Sequence, residues 1–299
     1  MRATLTVGLG PARWLFFLAL VLSAGVRAEG QLAIVIDDIG YNAALGERSL
    51  QLEGAFTFAV LPRAPHGPRL ARLGAQAGKE IIVHNPMSNI RGLPLDAGAL
   101  SGTMPHSDFM TTLNANLAAI PEARGLNNHM GSLLTQSPRA MGWIMQRLGD
   151  QGLYFIDSRT SANSQAWETA RHYGVPSLKR DVFLDNERDI EKIARQVAKA
   201  IELARDRGYA LAIGHPYPET LTVLEQIQPA LEAANVSLVP VSALLERPEI
   251  QPRSQYQSCL APPMSLWRQP AANSKKTTPE SPWLHRALNP LPLANQGFR

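Results

Sequence analysis

Acidic and imidazole side chains follow four short apolar runs of this 299-residue sequence. Asp37 and Asp38 follow the first run, His84 the second, Asp157 the third and His215 the fourth. Neutral imidazole and carboxylate groups are the ligands of catalytic zinc sites, in which three protein ligands leave one position open. The same groups serve as general acids and bases beside a reacting atom. These residue types therefore indicate a candidate site for a divalent metal.

Each of these residues also has a structural interpretation. Asp37 and Asp38 could cap the following turn, since Gly40 is adjacent, but two acids directly after a branched apolar run are unusual in that role. His84 taken alone would be a buried structural histidine, and Asp157 could cap the next element. We favour function for the aspartate pair and for His84, and leave both interpretations open for Asp157.

Three further candidates lie elsewhere in the chain. His129 lies in a polar segment between two helical patterns, and both interpretations of it are open. Asp181 and Asp185 share one short segment, in which Asp185 is favoured as the N-cap of a long helix. The separations of 46 positions from Asp38 to His84 and 45 from His84 to His129 form no compact metal-binding signature. The evidence for a site is therefore the placement of these residues after strands.

Short apolar runs alternate with amphipathic patterns between residues 29 and 250. The runs that predict strands are 32–36, 56–61, 81–83, 153–156, 209–213 and 236–241. The patterns that predict helices are 68–76, 108–117, 138–148, 187–207 and 220–233. This alternation predicts an α/β fold with six or seven mostly parallel strands, and no break in composition over about 220 residues favours a single-domain (β/α) barrel.

A parallel barrel would bring the candidate residues together. The carboxyl ends of parallel strands share one face, and that face holds the active site in α/β proteins. Acidic and imidazole groups from distant parts of the chain are therefore expected to converge there. The sequence contains neither a glycine-rich dinucleotide fingerprint nor a Walker loop, so a nucleotide-binding fold is not expected.

The net charge of +4 belongs to the two ends of the chain. Residues 1–28 carry +3 and residues 251–299 carry +5, which leaves −4 for residues 29–250. The body of the protein is thus mildly acidic, although the pI of the whole sequence is about 9.4. The basic pI therefore gives no support to a nucleic-acid partner.

Both ends are predicted to be non-globular. Residues 1–28 combine basic residues, an apolar run and a small-residue cleavage site, which predicts a secretory signal; an uncleaved anchor is the alternative. No other stretch is long enough to span a membrane, so we expect an exported protein in the periplasm or outside the cell, with no span in the mature chain.

The lone Cys259 excludes an intramolecular disulfide. Residues 251–299 contain eight prolines and predict a disordered basic tail, either solvated or in contact with the envelope surface.

Six short segments occur in a familiar order. They are VIDDIG at 35–40, HNPM at 84–87, NNHMGS at 127–132, FIDS at 155–158, RDVFLD at 180–185 and GHP at 214–216. Together they resemble the divergent polysaccharide deacetylase family, a remote branch of the carbohydrate esterases with a distorted (β/α) barrel. The resemblance covers about residues 31–247 and leaves both ends outside it.

The resemblance implies a metal-dependent hydrolase that removes acetyl groups from a cell-envelope or extracellular polysaccharide. By position, Asp37 would be the catalytic base, acting on a water activated by a divalent metal. Asp38 and His84 would bind that metal, with zinc as the favoured ion. His129, from a later loop, would complete the ligand set.

The resemblance also implies a role beside the metal, since His215 matches the final histidine segment and would protonate the leaving group. As a separate hypothesis, Asp157 or Asp181 would orient His215 and tune its pKa, because a carboxylate commonly does so beside a catalytic imidazole. This sequence departs from the family after His84. Asn85 and Ser88 stand where the family more often has leucine and an acidic residue, and better-studied relatives take both ligand histidines from that segment.

Two other functions are considered. The departures after His84 would suit a degenerate barrel that binds envelope glycan or a partner protein without catalysis. A metal-independent glycosidase ranks last, because it needs two carboxylates that flank the bond, whereas adjacent residues such as Asp37 and Asp38 tend to point apart on a strand. That function would also leave the histidines without a role.

Overall fold

The computed structural model describes residues 29–250, so the predicted signal segment and basic tail lie outside the described residues. The strands are β1 Gly30–Ile39, β2 Thr57–Val60, β3 Glu80–Met87, β4 Gly125–Met130, β5 Tyr154–Asp157, β6 Ser177–Lys179, β7 Val182–Phe183, β8 Tyr209–Gly214 and β9 Val236–Leu238. The helices are α1 Ala43–Leu50, α2 Gly67–Gln76, α3 His106–Ala119, α4 Pro138–Gln151, α5 Ala166–His172, α6 Ile190–Arg207, α7 Pro218–Leu224, α8 Gln228–Ala234 and α9 Val241–Leu245. None of these helices has the length and apolarity needed to cross a membrane.

All strands pair in parallel in one curled sheet. Their order is β6-β5-β4-β3-β2-β1-β8-β7, with β9 paired to the start of β1. The edge strands β6 and β7 are consecutive in the chain and are separated only by Arg180 and Asp181. The Arg180 amide donates to the Asp157 carbonyl in β5, and the Asp181 amide donates to the Leu211 carbonyl in β8. This two-residue connection, and not a ladder of strand hydrogen bonds, joins the two edges of the sheet. The predicted α/β single domain with a distorted barrel is confirmed.

The sheet contains three strands more than the six runs identified in the sequence. The extra strands are β4, β6 and β7, and two of them have only two or three residues. β4 has the sequence GLNNHM and is largely buried, although polar residues dominate it. It lacks the apolar pattern of a strand because Asn127 and His129 face the candidate site and Asn128 bonds the backbone of neighbouring segments. The predicted helix at 220–233 is two helices, α7 and α8.

Apolar residues fill both sides of the sheet. One cluster lies between the sheet and the surrounding helices and includes Leu32, Ile34 and Ile36 of β1. A second cluster fills the barrel interior and includes Ala33 and Val35 of the same strand. Burial on both faces explains why β1 reads as a continuous apolar run rather than an alternating one.

Helix α9 closes the amino-terminal end of the barrel. Its side chains Val241, Leu244 and Leu245 belong to the interior cluster. The amide of Val241 donates to Thr57 Oγ1 at the start of β2, which fixes the helix against that end. The opposite end, where the strands finish, carries the candidate site.

Replacing Glu80 with alanine is expected to lower the free energy of unfolding by about 2–4 kcal/mol, because three donors would lose a shared charged acceptor. Glu80 Oε1 accepts from Thr57 Oγ1 at 2.8 Å, the Tyr154 hydroxyl at 3.0 Å and the Ser242 amide at 3.2 Å. Urea denaturation measures the change. The matched control Glu191→Ala removes an exposed carboxylate and should change the free energy by less than about 0.5 kcal/mol. Equal effects of the two substitutions would contradict the prediction.

Candidate metal centre

A β-bulge at the end of β1 directs the two adjacent aspartates toward the same site. The register with β2 shifts between Ile36 and Ile39. Asp38 lies in the left-handed region with φ of 57°, and Gly40 follows with φ of 144°. A bulge adds a residue to one strand and re-aims the neighbouring side chains. Asp37 and Asp38 therefore both lie close to His84, instead of pointing to opposite faces as in a regular strand.

Three potential ligand atoms form a compact triangle at this end of the barrel. Asp38 Oδ1 lies 2.8 Å from His129 Nδ1 and 3.1 Å from His84 Nε2. The two imidazole nitrogens are themselves 3.1 Å apart. Two ligands of a tetrahedral zinc ion, each about 2.0–2.1 Å from the metal, are about 3.4 Å apart. The three distances between these ligand atoms are slightly shorter than that spacing, and one carboxylate with two imidazoles is a donor set that zinc prefers.

The oxygen at the apex of this triangle has no hydrogen bond. Asp38 Oδ1 is buried, and neither neighbouring imidazole nitrogen donates to it with acceptable geometry. Burial alone would raise the pKa of Asp38, but His129 and His84 outweigh that effect and hold the pKa well below its usual range. A buried, ionised oxygen without a donor is costly unless a cation satisfies it. The residues present therefore fit a divalent metal.

Asn127 of β4 fixes the orientation of His84. The Asn127 amide donates to Asp37 Oδ1 at 2.7 Å and to Ser158 Oγ at 3.2 Å, so its oxygen faces His84 Nδ1 at 2.6 Å. His84 Nδ1 must then carry the hydrogen, which directs Nε2 toward Asp38. Burial would lower the pKa of His84, but Asp37 and Asp38 raise it to about 9. A cation that binds here thus replaces a proton, so its affinity rises with pH.

Asp37 is a buried carboxylate at the edge of this cluster. Its Oδ1 lies 3.7 Å from His84 Nδ1 and accepts a hydrogen bond from Asn127. Burial raises the pKa of Asp37, while the nearby His84 and His215 partly oppose the rise. A carboxylate with a raised pKa accepts a proton more readily than an exposed aspartate does, as a general base must.

His215 at the end of β8 faces the cluster from the other side. Its Nε2 lies 3.8 Å from Asp38 Oδ2, and its Nδ1 lies 2.9 Å from Asp185 Oδ1. Asp185 Oδ2 also accepts from the His215 amide at 2.6 Å and from Thr220 Oγ1 at 2.8 Å. Burial would lower the pKa of His215, but Asp185 and the aspartate pair raise it. The imidazole is thus held in place and favoured in its protonated form.

The expectation that Asp185 caps the long helix is wrong. The N-cap of α6 is Asp189, whose side chain accepts from the Lys192 amide at 2.9 Å. Asp185 instead follows β7, which pairs with β8 and so brings it beside His215. β7 spans only two residues, which is too short for an apolar pattern to reveal.

The expectation that Asp157 or Asp181 orients His215 is also wrong. Asp157 accepts from the Arg159 amide and from Ser164 Oγ, each at 2.8 Å, and so supports the turn after β5. Asp181 forms an ion pair with Arg207 and accepts from the Leu211 amide at 2.9 Å. Both carboxylates are committed to local structure, and Asp185 makes the contact with His215.

The sequence does not predict the site role of three polar residues. Asp185 has the features of a helix cap, and Asn127 lies in the NNHMGS segment with nothing that distinguishes it from its neighbours. Asp96 comes from the loop between β3 and α3, and its Oδ2 lies 2.9 Å from His129 Nε2. No local signal distinguishes Asp96 from an ordinary loop aspartate, since only the fold brings it to His129.

Comparison with known proteins agrees with this fold. A family model described as divergent polysaccharide deacetylase matches residues 34–245. The chain is 39% identical over 235 residues to the uncharacterized protein YibQ of Escherichia coli, an alignment covering 79% of this chain and 73% of that protein. It is 35% identical over 198 residues to an uncharacterized protein of Haemophilus influenzae, covering 66% of this chain and 71% of that protein. The crystal structure of uncharacterized protein ATU2773 from Agrobacterium tumefaciens matches with a TM-score of 0.68 at 23% identity, over 74% of this chain and 91% of that one.

Proposed function

The chain belongs to the divergent polysaccharide deacetylase family, and we propose that it hydrolyses acetyl groups from a cell-envelope or extracellular polysaccharide with a divalent metal. One observation carries the proposal: a carboxylate suited to act as base and an imidazole suited to act as acid both border the three-atom cluster. Zinc is the favoured ion because the cluster combines two imidazoles with one carboxylate. The sequence of residues 1–28 supports action outside the cytoplasm.

The proposed ligands are Asp38 through Oδ1, His84 through Nε2 and His129 through Nδ1. A divalent metal held by these atoms supplies a Lewis acid for the acetyl carbonyl and lowers the pKa of water. This leaves proton transfer and orientation to the surrounding side chains.

Asp37 and His215 divide the proton transfers. Asp37 removes a proton from the attacking water as the new carbon–oxygen bond forms. His215 donates a proton to the sugar nitrogen or oxygen as its bond to the acetyl carbon breaks. Asp185 keeps His215 Nε2 directed toward the cluster by holding Nδ1. Acetate and the deacetylated sugar are the products.

The alternative of a non-catalytic binder loses its main support. That alternative rests on Asn85 and Ser88, which depart from the family pattern beside His84. In the structure Asn85 accepts a hydrogen bond from Asn116 at 2.8 Å, and so takes part in packing against α3. The second imidazole of the cluster comes from His129 of β4. The departure therefore does not deprive the cluster of a ligand.

Acetate release from N-acetylated and O-acetylated glycans tests the proposed function. Purified protein is stripped of metal, supplied with one equivalent of zinc, and compared with protein kept in chelator. We expect acetate only in the zinc-loaded sample. Glycan binding with no hydrolysis of any acetylated sugar, unaffected by Asp37→Asn, would instead support the non-catalytic binder.

Replacing Asp185 with asparagine is expected to lower kcat about 10–100-fold with little change in KM, because His215 loses its orienting carboxylate. Asp185 also raises the pKa of His215, so the alkaline limb of the pH–rate profile should move to lower pH. Steady-state kinetics across pH measure both effects. Asp181→Asn is the matched control and should leave kcat and the pH profile nearly unchanged. Equal losses in the two variants would contradict the assignment of Asp185 to His215.

A further inference from the structure

Asp96 lies against the side of His129 that faces away from the metal cluster. It belongs to the loop of residues 88–105 between β3 and α3, and its Oδ2 is 2.9 Å from His129 Nε2. Its other oxygen, Oδ1, accepts from the hydroxyl of Tyr41. Asp96 therefore connects a proposed metal ligand with a residue that follows β1.

This contact determines which nitrogen of His129 carries the hydrogen. A neutral imidazole has one donor and one acceptor nitrogen, and an ionised carboxylate only accepts. A metal ligand is a neutral imidazole, so when His129 binds a cation through Nδ1 the hydrogen lies on Nε2, which donates to Asp96, and the lone pair of Nδ1 faces the cluster. His84 has the opposite arrangement, because its Nδ1 faces Asn127 and its Nε2 faces Asp38.

His129 is the more exposed of the two imidazoles in the cluster, so burial restrains its ring less than that of His84. The His84 side chain is 2% exposed and is held by its surroundings, whereas that of His129 is 15% exposed. Among the residues that the structure describes, Asp96 supplies the carboxylate that contacts His129 Nε2. Without this acceptor, the ring has less to oppose rotation away from the cluster.

We propose that Asp96 is a positioning residue that makes His129 a metal ligand through Nδ1 and thereby joins the β3–α3 loop to the metal centre. This inference rests on the proposed metal dependence but not on the identity of the polysaccharide. The loop also contacts the segment after β4, where the Ile90 amide donates to Ser132 Oγ at 3.0 Å. Zinc should therefore reduce hydrogen exchange across residues 88–105, and Asp96 should be required for that protection.

Zinc affinity of the purified full chain, measured by competition with a chromophoric chelator, tests the proposal. Asp96→Ala should weaken zinc binding about 10–100-fold. Asp96→Asn should weaken it less, because the amide oxygen still accepts from Nε2. The matched control Asp150→Ala removes a carboxylate at the carboxyl end of α4, at the opposite end of the barrel, and should leave the affinity unchanged.

Nitrogen NMR of the zinc-loaded protein supplies a readout that a general loss of stability would not reproduce. The expected spectrum has His129 protonated at Nε2 and metal-bound at Nδ1, and Asp96→Asn should perturb the Nε2 signal first. If Asp96→Ala does not fold, Asp96→Asn decides the question by its affinity and its spectrum. Zinc affinities of the folded Asp96 variants equal to that of Asp150→Ala, or zinc bound to His129 through Nε2, would overturn the proposal.

Failure of this inference is distinguishable from failure of the proposed function. If zinc binds and Asp96→Ala weakens it, but no acetylated glycan is hydrolysed, then the role of Asp96 stands and the deacetylase proposal falls. If the wild-type chain binds no zinc, both fall. If zinc-dependent acetate release occurs and Asp96→Ala binds zinc as tightly as the wild type, only the role of Asp96 is wrong.

Discussion

Replacing Asp38 with alanine is expected to abolish stoichiometric zinc binding and to lower acetate release by about 10³-fold or more. Asp38 Oδ1 is the atom that both imidazoles approach, so its loss removes the charged ligand and leaves two neutral ones. Loss of about 4 kcal/mol of charge stabilisation by the metal corresponds to about 10³ in rate. Metal analysis of the purified variant and its acetate release measure the two effects.

A second substitution at the same position separates metal loss from backbone strain. Residue 38 has a φ of 57°, a conformation that alanine adopts less readily than asparagine. Asp38→Asn therefore keeps the bulge while removing the charge, and it should also fail to bind zinc tightly. Full activity of both variants after exhaustive chelation would show that hydrolysis needs no metal.

Replacing Asp37 with asparagine is expected to lower kcat about 10²–10⁴-fold while zinc stays bound, because the general base is lost and the ligand set is intact. The asparagine oxygen can still accept from Asn127, which holds Asp37 Oδ1 at 2.7 Å. Burial raises the pKa of Asp37, so ionising it opposes folding as pH rises, and the uncharged amide should not reduce stability. Steady-state kinetics, metal analysis and thermal unfolding of Asp37→Asn measure its kcat, its zinc content and its stability.

The pH dependence of the wild type gives this second prediction a further check. The base must be ionised to act, and its pKa is raised, so the acid limb of the pH–rate profile should lie above the pKa of an ordinary aspartate. A kcat of Asp37→Asn close to that of the wild type would exclude Asp37 as the base. Loss of zinc from Asp37→Asn would mean that the substitution disturbs His84 through Asn127.

The convergence of distant residues could be predicted because it follows from topology. Asp38, His84 and His215 each follow an apolar run, and parallel strands place their carboxyl ends on one face. The alternation of strands and helices was likewise sufficient to predict the α/β barrel. These inferences use only the period of the apolar pattern and the direction of the strands.

The orienting residues could not be predicted for a physical reason. β4 carries too few apolar residues to show a strand pattern, and β7 is too short to show one, so no pairing register could be predicted for Asn127 or Asp185. Asp185 was confused with a helix cap because aspartate suits both roles and the true cap, Asp189, lies four positions later. Asp96 reaches His129 from a loop, where no periodicity exists.

Acetate release by one protein sample, measured with and without zinc, decides whether this chain is a metal-dependent deacetylase. The wild-type chain carrying one zinc ion should release acetate from an N-acetylated or O-acetylated envelope polysaccharide. Release should stop on chelation and resume when zinc is returned. Release that persists both after exhaustive chelation and in Asp38→Ala would contradict the metal centre described above. Absence of release from every acetylated glycan by the zinc-loaded chain would contradict the deacetylase function.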